Sequence, residues 1–513
     1  MRSHTIILLV TLFLSGLALL FMPSWTVDDA YIAYRYGKNL LYMGELNWNP
    51  GDAPVEGYTG VLLPILSLVL HTFTDNIVPY IRLISLYCFL GSALTLYSLA
   101  RRSNVSKNWS AGLVMLFCLS PMVYVHVFSG LETFIFAYLL LTVIFQVVRQ
   151  MDRGWTWLGT MLLFPTLFLL SLCRPEGMIF SMLVLGLLLV WGRLGAWKMA
   201  RGKLLTLTAI LLTANAFYLY LKWDYYGSLL PNSYYAKAYH GFINTESIKE
   251  FLRFAGYYLV LPLIASLSLY MAGTNLKRTI DQKRWFIFGS TLIFLGIVLI
   301  GYSRSQLFMN YASRFFFPFF APLLLILAIL AHQGWRNIRD RVEENPLLMK
   351  RIRSMLIVLA ILQTGALGSK FISERQFVLN MDSIMQEEYL PAAEMLRSTL
   401  MPGSTIISYV DAGAISYHTN LRCVDFGRLN DAYLARQQPD SMEVLNYFFM
   451  QDAEAVIFTN LSPDRFDYLD EAFYIQRDPR FKKYQLVGSY GNSRGYPYYQ
   501  FLYYRNDLLD SFY

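Results

Sequence analysis

Residues 5–22, TIILLVTLFLSGLALLFM, and residues 28–60, DDAYIAYRYGKNLLYMGELNWNPGDAPVEGYTG, decide how the chain is read. The first run has the length and apolarity of a bilayer span. The second opens on the adjacent carboxylates Asp28 and Asp29 and carries Arg35, Lys38, Glu56 and a dense set of Tyr and Trp. Such groups just beyond a span are costly without a task, so this loop is the expected seat of chemistry. Arg2 makes only a weak basic start and no small-residue cleavage site precedes Asp28, so residues 5–22 read as a retained first transmembrane helix.

Composition agrees. Hydrophobic residues make up 55% of the 513, charged residues 15% and aromatics 16%, a polytopic membrane profile. Cys88, Cys118, Cys173 and Cys423 have no paired spacing, which argues against a disulfide framework or a zinc site. The net charge of +8 lies mostly in short loops between apolar segments. Membrane topology explains it, and no basic run is long enough to track nucleic acid.

Spanning-length apolar stretches fall near residues 5–22, 77–99, 111–128, 134–148, 155–172, 177–192, 204–222, 254–272, 285–302, 315–332 and 352–369, about eleven helices. Residues 60–72 are short for a span and contain Pro64, so they read as an interfacial or re-entrant helix. With the N-terminus cytoplasmic, the basic loops at 101–107, 149–153, 192–203, 275–284 and 336–353 all lie inside. The outer loops then carry the unusual polar sequences: SGLET (129–133), CRPEG (173–177), WDYYGSLLPNSYYAKAYH (223–240) and YSRSQLFMNYASRF (302–315). Residues 1–372 form the expected transmembrane domain. Residues 373–513, with strand-like STIISYVDAG, EAVIFTN, YQLVGSY and YYQFLYY and helix-like QEEYLPAAEMLRSTL and SMEVLNYFFM, form an expected extracytoplasmic α/β domain.

A transferase on the outer face has no cytosolic nucleotide sugar, so its donor must come from a lipid carrier. It needs a carboxylate to take the acceptor's proton and cations to hold the departing phosphate. Asp28 and Asp29 are the candidate bases. Helical neighbours diverge by about 100°, so one should face the cavity while the other is structural. Glu56, before Gly57, reads as a substrate contact, as do Arg35, Tyr58 and Asn232. Arg174 either braces the CRPEG turn with Glu176 or faces the carrier phosphate, and Lys237, Arg304 and Arg314 compete for that role. Glu132 at a helix start fits the helix dipole as well as a substrate contact. His126 and His240 lack companions at ligand spacing, and no dedicated metal-ligand set is visible.

The run DDAYIAYRY with WNPG and VEGYT, joined by SGLET, RPEG, YYGSLLPNSYYAK and the DAG to VDFGRLND stretch at 411–431, resembles a known group. It is similar over nearly the whole chain to the polytopic GT-C glycosyltransferases that use polyprenyl-phosphate sugars, in particular the mycobacterial terminal arabinofuranosyltransferases and the bacterial pilin arabinosyltransferases. The resemblance implies a GT-C membrane core, a first extracytoplasmic loop carrying the catalytic Asp, a decaprenyl- or undecaprenyl-phosphate sugar donor and a periplasmic C-terminal domain. The expected location is the bacterial cytoplasmic membrane, with no cofactor beyond the donor, although paired carboxylates leave room for a divalent metal. The resemblance also implies Asp28 as base, with Asp29 also important. Arabinofuranose is the sugar it suggests, passed to an extracytoplasmic glycan, glycolipid or protein. A transporter or flippase of lipid-linked sugars is the alternative, but its charges should lie near the bilayer midplane rather than at outer helix ends.

Overall fold

The computed structural model describes residues 3–193, 201–237, 244–272, 281–464 and 470–510. The loops at 192–203, 223–240 and 275–284 therefore fall partly outside the described residues, and His240 wholly so. Every expected apolar segment is helical. In chain order these are α1 (Ser3–Phe21), α2 (Asp28–Met43), α3 (Leu62–His71), α4 (Val78–Arg102), α5 (Lys107–Cys118), α6 (Pro121–Phe128), α7 (Thr133–Arg153) and α8 (Trp157–Cys173). There follow α9 (Pro175–Arg193), α10 (Arg201–Tyr226), α11 (Asn232–Ala236), α12 (Glu246–Tyr258), α13 (Val260–Ala272), α14 (Gln282–Tyr302), α15 (Phe317–Glu344) and α16 (Pro346–Ile384).

By length and composition, 7 of the described helices can cross a membrane, or up to 9 if the bent pairs α5–α6 (56°) and α12–α13 (68°) each make one span. The expected count of about eleven is reached only if the shorter apolar helices α8 and α9 also cross. Pro121 in the first turn of α6 explains the first bend, because it has no N–H to continue the α5 ladder. Helix α3 has 10 residues, about 15 Å, too short to cross; it packs on α2, where Ser67 Oγ donates to Tyr34 O at 2.9 Å.

The loops segregate to two ends. At the basic end Asp152 receives Arg102 and Lys283, each at 2.7 Å, and Arg284 donates to Ser103 O at 3.1 Å. The loops quoted above as outer gather at the other end, with the C-terminal domain. This is the grouping that the distribution of basic residues requires.

Helix α16 continues through a π turn at Met385–Tyr389 into α17 (Leu390–Thr399), so the expected boundary at 372/373 falls inside an unbroken helix. Beyond it the strands are β1 (Thr405–Tyr409), β2 (Arg422–Asp425), β3 (Ala455–Asn460), β4 (Tyr484–Gly491) and β5 (Tyr499–Arg505), in the order β2-β1-β3-β5-β4. Strand β1 pairs parallel with β2 and β3, while β5 runs antiparallel to both β3 and β4. Alternation assigns the two faces. Ile406, Ile457 and Leu502 join the core shared with the membrane helices, while Ile407, Val456 and Phe458 pack on Phe448 of α20 (Ser441–Met450) and on Phe481. The remaining helices of this part are α18 (Gly413–Thr419) and α19 (Ala432–Arg436), then α21 (Asp470–Arg477) and α22 (Asn506–Asp510).

Candidate active site

The first turn of α2 presents Asp28 and Asp29 at the helix N-terminus, where the dipole favours negative charge. The two side chains part as helical neighbours must, but in the opposite sense to that expected. Asp28 is buried, and both its oxygens are taken: Oδ2 accepts from Gly413 N at 2.9 Å and Oδ1 from Ala414 N at 2.6 Å. It thereby caps α18 of the C-terminal domain. Burial and the nearby Asp411 push the Asp28 carboxyl well above the usual carboxylate range, against the pull of those two amides. Asp29 instead lines a cavity together with Tyr58, Glu132, Ser233, Lys237 and Arg314, and Leu429 of the C-terminal domain adds an apolar wall.

Arg314 reaches this cavity from a strained turn. Ala312 and Ser313 have φ of 45° and 55°, in the left-handed region disfavoured for side-chain-bearing residues. Buried His126 holds the turn, with its Nε2 3.1 Å from Ala312 O and its ring 4.5 Å from that of Phe317. These contacts tie α6 to the turn that carries Arg314.

The cavity's charges are loosely paired. Arg314 lies 3.7 Å from Asp29 and 3.8 Å from Glu132, and Arg174 lies 3.4 Å from Glu132. These separations exceed the roughly 2.7–2.9 Å of a charge-assisted hydrogen bond. Among the described residues, the Nε atoms of Arg174 and Arg314 and Oε1 of Glu132 are buried without a hydrogen-bond partner. Arg174 stands behind Glu132 rather than in the wall, with its guanidinium 5.7 Å from the rings of Phe136 and Phe315. Burial lowers the Lys237 ammonium; Asp29 opposes this, while Arg314 and Arg174 add to it. The free volume is about 40 Å³, so a sugar ring enters only if the walls move.

Several expected substrate contacts are structural instead. Arg35 is buried and donates to Trp48 O at 2.9 Å, Asn49 Oδ1 at 3.1 Å, Leu421 O at 2.7 Å and Ser416 O, stacking on Trp48. It locks α2 onto the C-terminal domain. Asn232 accepts from Arg436 Nε at 2.9 Å and donates its backbone N–H to Glu56 O at 2.8 Å. Glu56 faces Lys222 of α10 at 2.9 Å, both nearly inaccessible, and burial pushes its carboxyl up to about 7 despite Lys222. Glu176 accepts from Tyr302 OH at 2.7 Å and makes no short pair with Arg174. Arg304 is exposed at the end of α14 and is not part of the wall. Tyr58 does line the cavity, anchored by its hydroxyl to Tyr226 OH at 3.0 Å.

Glu56→Gln leaves the Lys222 charge buried without a counter-ion. It should cost about 3–5 kcal/mol of stability, with most of the loss recovered in Glu56→Gln/Lys222→Met. Thermal unfolding in detergent checks this; a wild-type melting point for the single variant would mean the pair does not hold the loop.

Ser233 and Leu429 in the wall, and Lys222 behind Glu56, are among the residues of this region that the motifs do not single out. A lysine inside the apolar α10 was itself a signal. Among the described residues, no group of three or more His, Cys, Asp or Glu is placed to hold a metal ion.

The fold is of the GT-C type, shared with several solved membrane proteins. Against the Archaeoglobus fulgidus oligosaccharyltransferase tethered with an acceptor peptide, the TM-score is 0.57 at 12% identity over 96% of this chain and 74% of that one. ArnT from Cupriavidus metallidurans gives 0.57 in the apo state, at 12% identity and 97% of each chain. The same protein bound to undecaprenyl phosphate gives 0.54 at 10% identity, again over 97% of each. These likenesses establish the fold. Residues 379–504 match a sequence family described as a domain of unknown function, DUF8728. No curated protein sequence matches the chain.

Proposed function

We propose that this chain is a membrane glycosyltransferase that moves a sugar from a polyprenyl monophosphate to a hydroxyl on an extracytoplasmic glycan, glycolipid or protein. The carrying observation is the cavity wall itself, where the carboxylate of Asp29 stands beside Arg314 and Lys237 with buried guanidinium N–H groups unspent. Asp29 takes the proton of the acceptor hydroxyl as its oxygen bonds to the anomeric carbon. The bond from that carbon to the phosphate oxygen breaks, and the electron pair leaves with the polyprenyl phosphate. Arg314 and Lys237, backed by Arg174, offset the growing phosphate charge. A single displacement of this kind inverts the anomeric centre.

Two solved relatives in fold support a lipid-phosphate donor: ArnT, bound to undecaprenyl phosphate, and archaeal AglB, in complex with a dolichol-phosphate. The clustering of basic loops at the opposite end supports a location of the cavity and the C-terminal domain on the outer side of the bacterial cytoplasmic membrane. Arabinofuranose is the sugar we assign, from the motif resemblance. The charges sit at helix ends around one rim, the arrangement of an enzyme site rather than of a carrier with a midplane site.

Arg314→Lys tests the phosphate contact, because it keeps the charge and loses the planar fork. Binding of a short-chain polyprenyl phosphate in detergent should weaken about tenfold or more. The same change at exposed Arg304 should leave binding unaltered. Equal affinity in wild type and Arg314→Lys would remove Arg314 from the donor site.

A further inference from the structure

At the basic end, far along the bundle from Asp29, α5, α13, α15 and α16 border an open cavity of about 380 Å³. Its lining includes small residues, Gly112 on α5, Ala265 and Ser266 on α13, and Ala328 and Ala331 on α15, among leucines of the same helices. The room is real: a Cβ built on Gly112 would meet no atom within 4 Å. Leu356 lines this cavity and also a second one of about 320 Å³, bounded by Trp335, Ile352, Arg353 and Ile357. The two therefore adjoin along one face of α16. Small residues facing one another on membrane helices ordinarily let the helices close up. Here α13 and α15 do close up, with Gly334 of α15 against the backbone of Leu269, and the groove that Leu269 also lines runs beside that contact, in space too apolar to hold water.

The rim of this space is basic. Lys350, Arg351 and Arg353 immediately precede the apolar run SMLIVLAIL of α16, and Arg353 lines the second cavity. Arg336 lies one residue beyond Trp335 on α15, and Trp109 of α5 lines the first cavity, an aromatic suited to headgroup depth. We infer that this paired groove binds one anionic phospholipid, with an acyl chain in each cavity and the phosphate met by Arg353. The apolar lining selects the chains and the basic border selects the charge. This site stands apart from the transferase reading.

Native mass spectrometry of the delipidated full-length protein, titrated with phosphatidylglycerol or with phosphatidylcholine of the same chains, tests the assignment. Wild type should hold one phosphatidylglycerol at least about tenfold more tightly than phosphatidylcholine. Gly112→Phe, whose Cβ meets no atom within 4 Å, turns a ring into the groove and should abolish retention. Arg353→Gln should erase the headgroup preference while keeping the chains. Ala328→Leu blocks the same space from another helix and serves if Gly112→Phe fails to fold, as judged by gel filtration. Equal affinity for the two lipids, undiminished binding by the filled variants, or displacement of the phospholipid by polyprenyl phosphate would overturn the proposal.

Discussion

Replacing Asp29 with Asn should lower sugar transfer at least about a hundredfold while leaving the fold intact. The carboxylate is the cavity's candidate base, and the amide keeps its shape but cannot take a proton from the acceptor. Little else depends on it. Its side chain is 20% exposed and its ion pair to Arg314 is long at 3.7 Å, so losing the charge removes a weak contact. The check is a rate of polyprenyl phosphate release set beside a thermal melt. A variant with an unchanged melting point and a rate within a few-fold of wild type would remove Asp29 from the mechanism.

Asp28→Asn should also cost activity, but by a different route. The Asp28 carboxylate accepts two backbone N–H groups from the start of α18, and hydrogen bonds to charged acceptors contribute about 1.5–3 kcal/mol each. Asn retains one acceptor and turns an NH₂ toward the other N–H. A destabilisation of about 3 kcal/mol is expected, with the C-terminal domain loosened from α2. Gly413 makes the same junction intolerant of a side chain, since an added Cβ would strike the backbone of Asp28. The variant should therefore melt earlier and be cut by protease around residues 400–440, neither of which is expected of Asp29→Asn. Loss of transfer at Asp28→Asn with wild-type melting and protease resistance would return the role of base to Asp28.

The membrane architecture was legible because apolar runs of spanning length have few other uses, and the four longer strands were legible from their β-branched and aromatic runs. Strand β2 was not: RCVD is four residues long, and its place at the sheet edge depends on pairing with β1. The site was half legible. Motif residues such as Asp29, Lys237 and Arg314 do meet, although they come from loops nearly 300 residues apart. What composition could not show is which of two adjacent aspartates faces inward, because a partner 385 residues away, Gly413, decides it. Arg35 and Asn232 were misread for the same reason: their acceptors and donors, Ser416, Leu421 and Arg436, lie in the C-terminal domain. Glu56 was misread because its partner, Lys222, sits inside an apolar helix read only for its length. The change in composition at 372/373 has no break in the backbone to match it, because α16 carries its helical pattern across it.

The most direct test of the central claim is mass-spectrometric detection of free polyprenyl phosphate when purified wild type and Asp29→Asn are incubated with acceptor and a panel of polyprenyl monophosphate sugars. The panel comprises arabinofuranose, aminoarabinose and mannose donors. Wild type should release polyprenyl phosphate from one donor, arabinofuranose first, and Asp29→Asn at least about a hundredfold less. Equal release by both proteins, or no release from any donor by folded wild type, would contradict that claim.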